Sequence, residues 1–227
     1  MSISSECLTL QSNACQLKFE EYLKIFEIIE EEYSLYCMYW NENFKKCINL
    51  KTKYIRDIFN ADLGLDDEFR EYMNSFISGL DRVYFKIVIR IKSECNLDIR
   101  ARVKDMQSII NKLNKKSFEQ GGRIQVIKCL NDLLGIRVID KNYKENIDKI
   151  VTYLDVCAEY KTRHMERIVD GYKAYHVYFR QSKNIYFPIE LQIWDSENEQ
   201  SNLNSHTLYK QEYIGWGEKY QDIEKRR

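Results

Sequence analysis

The sequence is short of chain breakers, with one proline and eight glycines in 227 residues. It has no internal repeat and no low-complexity segment. With 44% hydrophobic and 31% charged residues, that leaves one globular domain, or one domain with a helical extension. Net charge is also missing, since 35 basic residues face 35 acidic ones. No global basic field exists to gather nucleic acid, although a local patch does not show in a total. The seven cysteines, from Cys7 to Cys157, are odd in number and scattered, with no CxxC pair and no histidine at metal spacing. They read as reduced thiols rather than as a disulfide or zinc framework. A basic-then-apolar leader is absent, and no apolar run approaches the roughly 20 residues of a membrane span. These absences lead us to expect a soluble, cytoplasmic protein without a membrane partner.

What the chain does have is periodicity of two kinds. Phe19, Tyr22, Phe26, Ile29, Tyr33, Tyr36 and Trp40 recur at steps of three and four, and Phe44, Ile48, Ile55 and Phe59 continue the series. The spacing predicts helix almost throughout 15–95, broken at 60–69, where Asp66 and Asp67 cap a further helix. Residues 81–93 fit helix or buried strand, and their neighbours favour helix. After residue 98 the pattern changes. "DIRARVK" alternates, "DMQSIINKLNKK" is amphipathic, "LLGIRVID" reads as a buried strand, and "KENIDKIVTYLDVCAE" is helical. Two strands follow, 172–180 and 185–194, and then a polar helix over about 197–225. The expected fold class is α+β, a mixed sheet flanked by helices. We divide the chain into a helical N-terminal region, 1–79, and an α/β core, 80–227.

Three constellations carry possible chemistry. Arg100, Arg102 and Lys104 share one face of a strand, and Ser108 and Lys112 share a face of the next helix, a ladder suited to polyphosphate. A strand edge kept charged against aggregation explains the same residues. Asp132 precedes an apolar strand that carries Arg137, as a turn former or as a functional acid. Strand parity then places Tyr172 and His176 on one face of 172–180, and Glu190 and Gln192 on one face of the partner strand. A carboxylate within an apolar strand loses hydration unless the face is exposed or it has a partner. Taken together, two carboxylates, a cation ladder and an exposed aromatic ring are the parts of a magnesium–nucleotide reaction.

In order along the chain, R-x-K-x3-S-x3-K (Arg102, Lys104, Ser108, Lys112), D-x-x-G-I-R (Asp132 to Arg137), G-Y-x-x-x-H (Gly171 to His176) and E-x-Q (Glu190 to Gln192) resemble the RelA/SpoT synthetase domain. At this length we expect the chain to lack that family's hydrolase and regulatory parts, so it resembles the small alarmone synthetases. The resemblance implies a nucleotidyltransferase-like sheet and a pyrophosphokinase that moves the β,γ-pyrophosphate of ATP onto a ribose 3′-hydroxyl with Mg²⁺. It implies Asp132 and Glu190 as metal-binding and catalytic carboxylates. Arg102, Lys104, Ser108, Lys112 and Arg137 would hold ATP, and Tyr172, His176 and Gln192 the acceptor.

The acceptor is where the pattern departs. Guanosine-acceptor members read N-G-Y and E-x-Q-I-R-T; here Asp170 replaces the Asn, Ile168 stands where a Lys is often found, and Trp194 and Asp195 follow Ile193. With H-x-x-Y-K at His206, Tyr209 and Lys210, set among Tyr213 and Trp216, the chain looks similar to toxic members that pyrophosphorylate the 3′ end of tRNA. That implies a translation-blocking toxin with an antitoxin partner, and Arg163, Arg167, Lys173 and the terminal "EKRR" as backbone contacts. We lean to the 3′-terminal adenosine of tRNA as acceptor. GDP or GTP is the alternative, and a catalytically silent nucleotide-binding module is the third reading.

Overall fold

A computed structural model describes residues 16–60, 64–141, 143–208 and 211. The apolar stripe builds helix α1, Phe19–Asn43, which buries Phe26, Tyr33 and Trp40 among other residues. Each large apolar side chain fully buried in this way stabilises the fold by about 1.5–3 kcal/mol. The helix ends earlier than its periodicity predicts. Phe44 turns into an extended conformation (φ −122, ψ 105), and its ring stacks back on Trp40 at 5.1 Å. Residues 44–54 are irregular, and Leu50 N donates to the Asn184 carbonyl. The helical spacing of Phe44 and Ile48 thus reflects packing on the same cluster, not a continued helix. After a 3₁₀ turn, Ile55–Ile58, comes α2, Asp67–Ile77, capped by Asp66, whose side chain accepts from Phe69 N at 2.9 Å. Residues 81–93 are helical, within α3, Leu80–Cys95. That helix buries Leu80, Val83, Ile87 and Ile91 and ties itself to α1 through Arg90, paired with Glu31 and Glu32.

The rest alternates. β1 is Arg100–Val103, α4 Met106–Phe118, α5 Val126–Cys129, β2 Leu134–Asp140, α6 Tyr143–Thr152, β3 Lys161–Val169, β4 Tyr172–Arg180 and β5 Ile189–Asp195. A helix over 199–208, α7, completes the described chain. The strand order is β1-β2-β5-β4-β3, with β2 and β5 parallel and every other pair antiparallel. The expected mixed sheet flanked by helices is therefore present.

Two differences from the sequence reading are informative. β3 was not expected; it forms a hairpin with β4 through Asp170 (φ 48) and Gly171 (φ 78). Two consecutive positive φ values define a turn that Asp-Gly accommodates well. β5 begins at Ile189 rather than 185, directly after Pro188, which has no N–H to give a ladder. The preceding loop is held by the Tyr72 hydroxyl, which donates to the Ile185 carbonyl.

The sheet has one closed and one open face. Val138, Leu191, Ile193, Val177 and Phe179 join the main apolar cluster with α1, and Phe26 meets Phe179 at 6.1 Å. The opposite face carries the polar residues, flanked by α4 and α7. Among the described residues no helix is long and apolar enough to cross a membrane. The five described cysteines are free thiols, and Cys7 and Cys15 lie outside the described residues.

Candidate active site

The open face forms a cavity of about 730 Å³ whose described lining holds nine Lys or Arg side chains and two carboxylates, Asp132 and Glu190. A chain with no net charge has gathered a local cationic pocket, the case a charge total conceals.

One end is built by β1 and α4. Asp105 caps α4, its carboxylate accepting from Ser108 N at 2.8 Å and from the Ser108 hydroxyl at 2.7 Å. Those bonds hold the Asp105 carboxyl below its usual range. Capping fixes the first turn and aims Ser108 and Lys112 into the pocket beside Arg102 and Lys104. Asp132 sits between the two lysines. Lys104 Nζ donates to its Oδ2 at 2.7 Å and Lys112 Nζ to its Oδ1 at 3.0 Å. The three side chains are only 11%, 13% and 21% exposed for Lys104, Lys112 and Asp132. Burial opposes ionisation of the Asp132 carboxyl, but the two ammoniums outweigh it and hold the group well below the usual carboxylate range. Burial and the neighbouring Lys112 charge pull Lys104 down despite that carboxylate. The geometry, two short contacts to one buried acid, favours the fully charged triad.

The other end is built by β4 and β5. Their register sets His176 opposite Gln192 and Tyr178 opposite Glu190, so the predicted parity holds. Glu190 is buried and partnered on both oxygens. His176 Nδ1 lies 2.8 Å from Oε1, and Gln192 Nε2 donates to Oε2 at 2.7 Å. With the proton on Nδ1, His176 donates to Glu190 and leaves Nε2 to accept the Tyr172 hydroxyl at 2.9 Å, so one tautomer satisfies both contacts. Burial would raise the Glu190 pKa, yet the hydrogen bonds from His176 and Gln192 bring it below its ordinary value. Gly135 lies opposite Glu190 in the parallel pair, and a methyl group there would sit 3.8 Å from Oε2. The missing side chain leaves the space beside Glu190 Oε2 open.

Arg137 lines the same cavity as Arg102, Lys104, Ser108 and Lys112, whereas Tyr172 differs from its expected exposed setting. Tyr172 was expected as an exposed ring but is 5% exposed, covered by α7: His206 meets it edge-on at 5.3 Å and Trp194 at 6.0 Å. Arg137, expected with ATP, is drawn to the β5 side. Its guanidinium lies 3.5 Å from the Trp194 ring centroid, 3.4 Å from Gln192 Oε1 and 3.3 Å from His206 Nε2. Burial pulls its pKa down to about 10, still a cation at neutral pH. Asp195 does not enter the pocket: it is buried on the other face, 3.1 Å from Lys144, and accepts from Glu197 N. Asp170, likewise, serves the β3–β4 turn.

Of the suggested backbone contacts, Arg163 and Arg167 are exposed on β3. Lys173 points to the opposite face from Tyr172, 3.6 Å from Glu166. Tyr209, Lys210, Tyr213, Trp216 and the terminal "EKRR" lie outside the described residues. The contributions that sequence reasoning missed are those of Lys115, Lys116 and Lys128, which widen the cationic rim, and of Trp194 as a platform for Arg137. The helical spacing of 108, 112, 115 and 116 was the available signal for the first two.

Among the described residues no group of three or more His, Cys, Asp and Glu is arranged to hold a metal. Two hard carboxylates lining one cationic pocket still fit Mg²⁺, which commonly takes one or two carboxylates and completes its shell with water and substrate phosphates.

Among solved structures the chain is similar to the small alarmone synthetase 1 from Bacillus subtilis. Identity is 19% and the TM-score 0.42, over 71% of this chain and 88% of that one. The same Bacillus subtilis protein bound to its product pppGpp gives 16% and 0.39 over 71% and 93%. Bound to AMPCPP it gives 14% and 0.35 over 71% and 94%. No curated protein sequence matches. Residues 101–213, a stretch that contains every site residue from Arg102 to Gln192, match the family model described as the region found in RelA / SpoT proteins.

Proposed function

We propose that the protein is an ATP-dependent pyrophosphokinase acting on a ribose 3′-hydroxyl. The observation that carries this reading is a single pocket in which one carboxylate, Asp132, is embedded in lysines and the other, Glu190, is held by His176 and Gln192. The region match over residues 101–213 supports the same reading.

Arg102, Lys104, Ser108 and Lys112 would bind the triphosphate and orient its β-phosphorus. Glu190 would accept the proton of the acceptor 3′-hydroxyl as the new bond from that oxygen to the β-phosphorus forms. The bond from the β-phosphorus to the α,β-bridging oxygen then breaks, and AMP leaves with that oxygen. His176 and Gln192 hold Glu190 ionised and fixed for this step. Asp132 and Glu190 would hold Mg²⁺, which supplies charge neutralisation on the phosphate oxygens and acidifies the attacking hydroxyl.

For the acceptor, the 3′-terminal adenosine of tRNA is favoured, with an antitoxin as the partner such an activity calls for. Support comes from the β5 side of the pocket. Trp194 stands where guanosine-acceptor members have an arginine, and Arg137 is committed to Trp194, Gln192 and His206. Little cationic charge is left there for a 5′-di- or triphosphate. One observation favours GDP or GTP instead: the Arg167 guanidinium lies 6.0 Å from the Tyr172 ring and is exposed.

The test offers GDP, GTP and deacylated tRNA separately with Mg²⁺ and ATP labelled at the γ-phosphate. Label on tRNA alone is the expected result, and Glu190→Gln lowers its rate by on the order of 10²-fold or more. Label on a guanosine nucleotide makes the protein an alarmone synthetase. No label anywhere, with ATP still bound, leaves a silent nucleotide-binding module.

A further inference from the structure

Asp132 is locked on both oxygens by ammoniums from two different elements, Lys104 just after β1 and Lys112 on α4. The triad of one carboxylate and two lysines carries a net positive charge, and Arg102 lines the same wall. A divalent cation arriving alone meets two ammoniums already seated on its ligand, and displacing them would leave four positive charges around one acid. A triphosphate arriving with the cation reverses the balance, because its oxygens take the ammoniums. Lysine suits such an exchange, since its flexible stem moves the charge without moving the backbone.

We propose that Lys104 and Lys112 bar a lone divalent cation from Asp132 and release the carboxylate only to a polyphosphate, so that cation and nucleotide load together. The proposal rests on the pyrophosphokinase reading for the identity of the polyphosphate. It goes beyond that reading in assigning the two lysines a gating role toward the metal as well as a phosphate-binding one. Coupling of this kind is reciprocal. Whatever factor the nucleotide adds to cation affinity, the cation adds to nucleotide affinity.

Mn²⁺ binding to the full chain, counted by electron paramagnetic resonance, tests this without turnover. The titration is made without nucleotide and with a non-hydrolysable ATP analogue, corrected for metal held by free analogue. For the wild-type protein we expect Mn²⁺ to bind at least about 10-fold more weakly without the analogue than with it, within the usual range of coupling factors. Lys112→Met and, independently, Lys104→Met should tighten nucleotide-free Mn²⁺ binding several-fold and shrink the coupling. Asp132→Asn should abolish it. Equal Mn²⁺ affinity with and without the analogue overturns the proposal, as does lone-cation affinity unchanged in both lysine variants. The nucleotide-free arm stands apart from the functional reading. If no ATP analogue binds at any Mn²⁺ concentration, the kinase reading falls and the coupled loading falls with it. Analogue binding that is indifferent to Mn²⁺ sinks the lock alone.

Discussion

His206 brings an imidazole into a wall of cations, and its surroundings decide its charge. Burial, with Arg137 and Arg102 nearby, pulls its pKa down to about 4, so the folded protein keeps the ring neutral. An unfolded chain protonates the same ring near the ordinary histidine value of about 6.5. The unfolded state therefore binds more protons between these values, and stability falls as pH drops from about 6.5 to about 4. Because the ring is partly solvated, we expect on the order of 1 kcal/mol from this residue. Denaturation at pH 7 and pH 5 should show a smaller difference for His206→Gln than for the wild type. At this scale parity of alternation was legible: Tyr172, His176, Glu190 and Gln192 share the face that period two assigns them. The ion-paired triad was not, since Lys104 and Asp132 stand 28 positions apart and meet only because β1 and β2 pair.

At the scale of elements, α7 decides which part of the pocket is open. Asn202 docks it, accepting from Lys173 N at 2.7 Å and donating to Lys173 O at 2.9 Å, in effect replacing a strand neighbour for β4. Ser205 adds a bond to the Asp170 carbonyl. Asn202→Ala leaves two backbone groups without their partner, a loss of about 1–3 kcal/mol. We expect α7 to undock, with faster hydrogen exchange at the Lys173 amide; unchanged protection there would show that Leu203 and Ser205 suffice. The covering of Tyr172 by α7 is why an exposed ring was expected and a buried one found: strand parity says which face a side chain takes, not what lands on that face. β3 escaped detection for a related reason. "KTRHMERIV" carries too much charge to read as a strand, and it is one because the Asp170–Gly171 turn folds it onto β4. The stretch 44–54 shows the converse, apolar spacing produced by tertiary packing without helix.

For the molecule as a whole, neutrality is an average over a cationic pocket and an acidic remainder. Binding of a triphosphate should therefore weaken with ionic strength although the net charge is zero. Between about 50 and 500 mM NaCl the Debye length falls from roughly 14 to 4 Å, and the affinity for an ATP analogue should drop about 10-fold or more. Isothermal titration at a series of salt concentrations measures this; a flat response would mean that the rim lysines do not reach the phosphates. Fold class was legible because the change from helical to alternating spacing near residue 98 spans whole elements. The order of strands was not, because nothing local in β5 says that it lies between β2 and β4.

That order has a consequence for the making of the protein. β5 is the last of the described strands to be synthesised and a central one in the sheet, flanked by strands translated before it. A ribosome exposes the lysines and Asp132 first, and Glu190 only some sixty residues later. On the proposed reading, a nascent chain carries its phosphate-binding cations before its base, and the chemistry would stay switched off until β5 inserts.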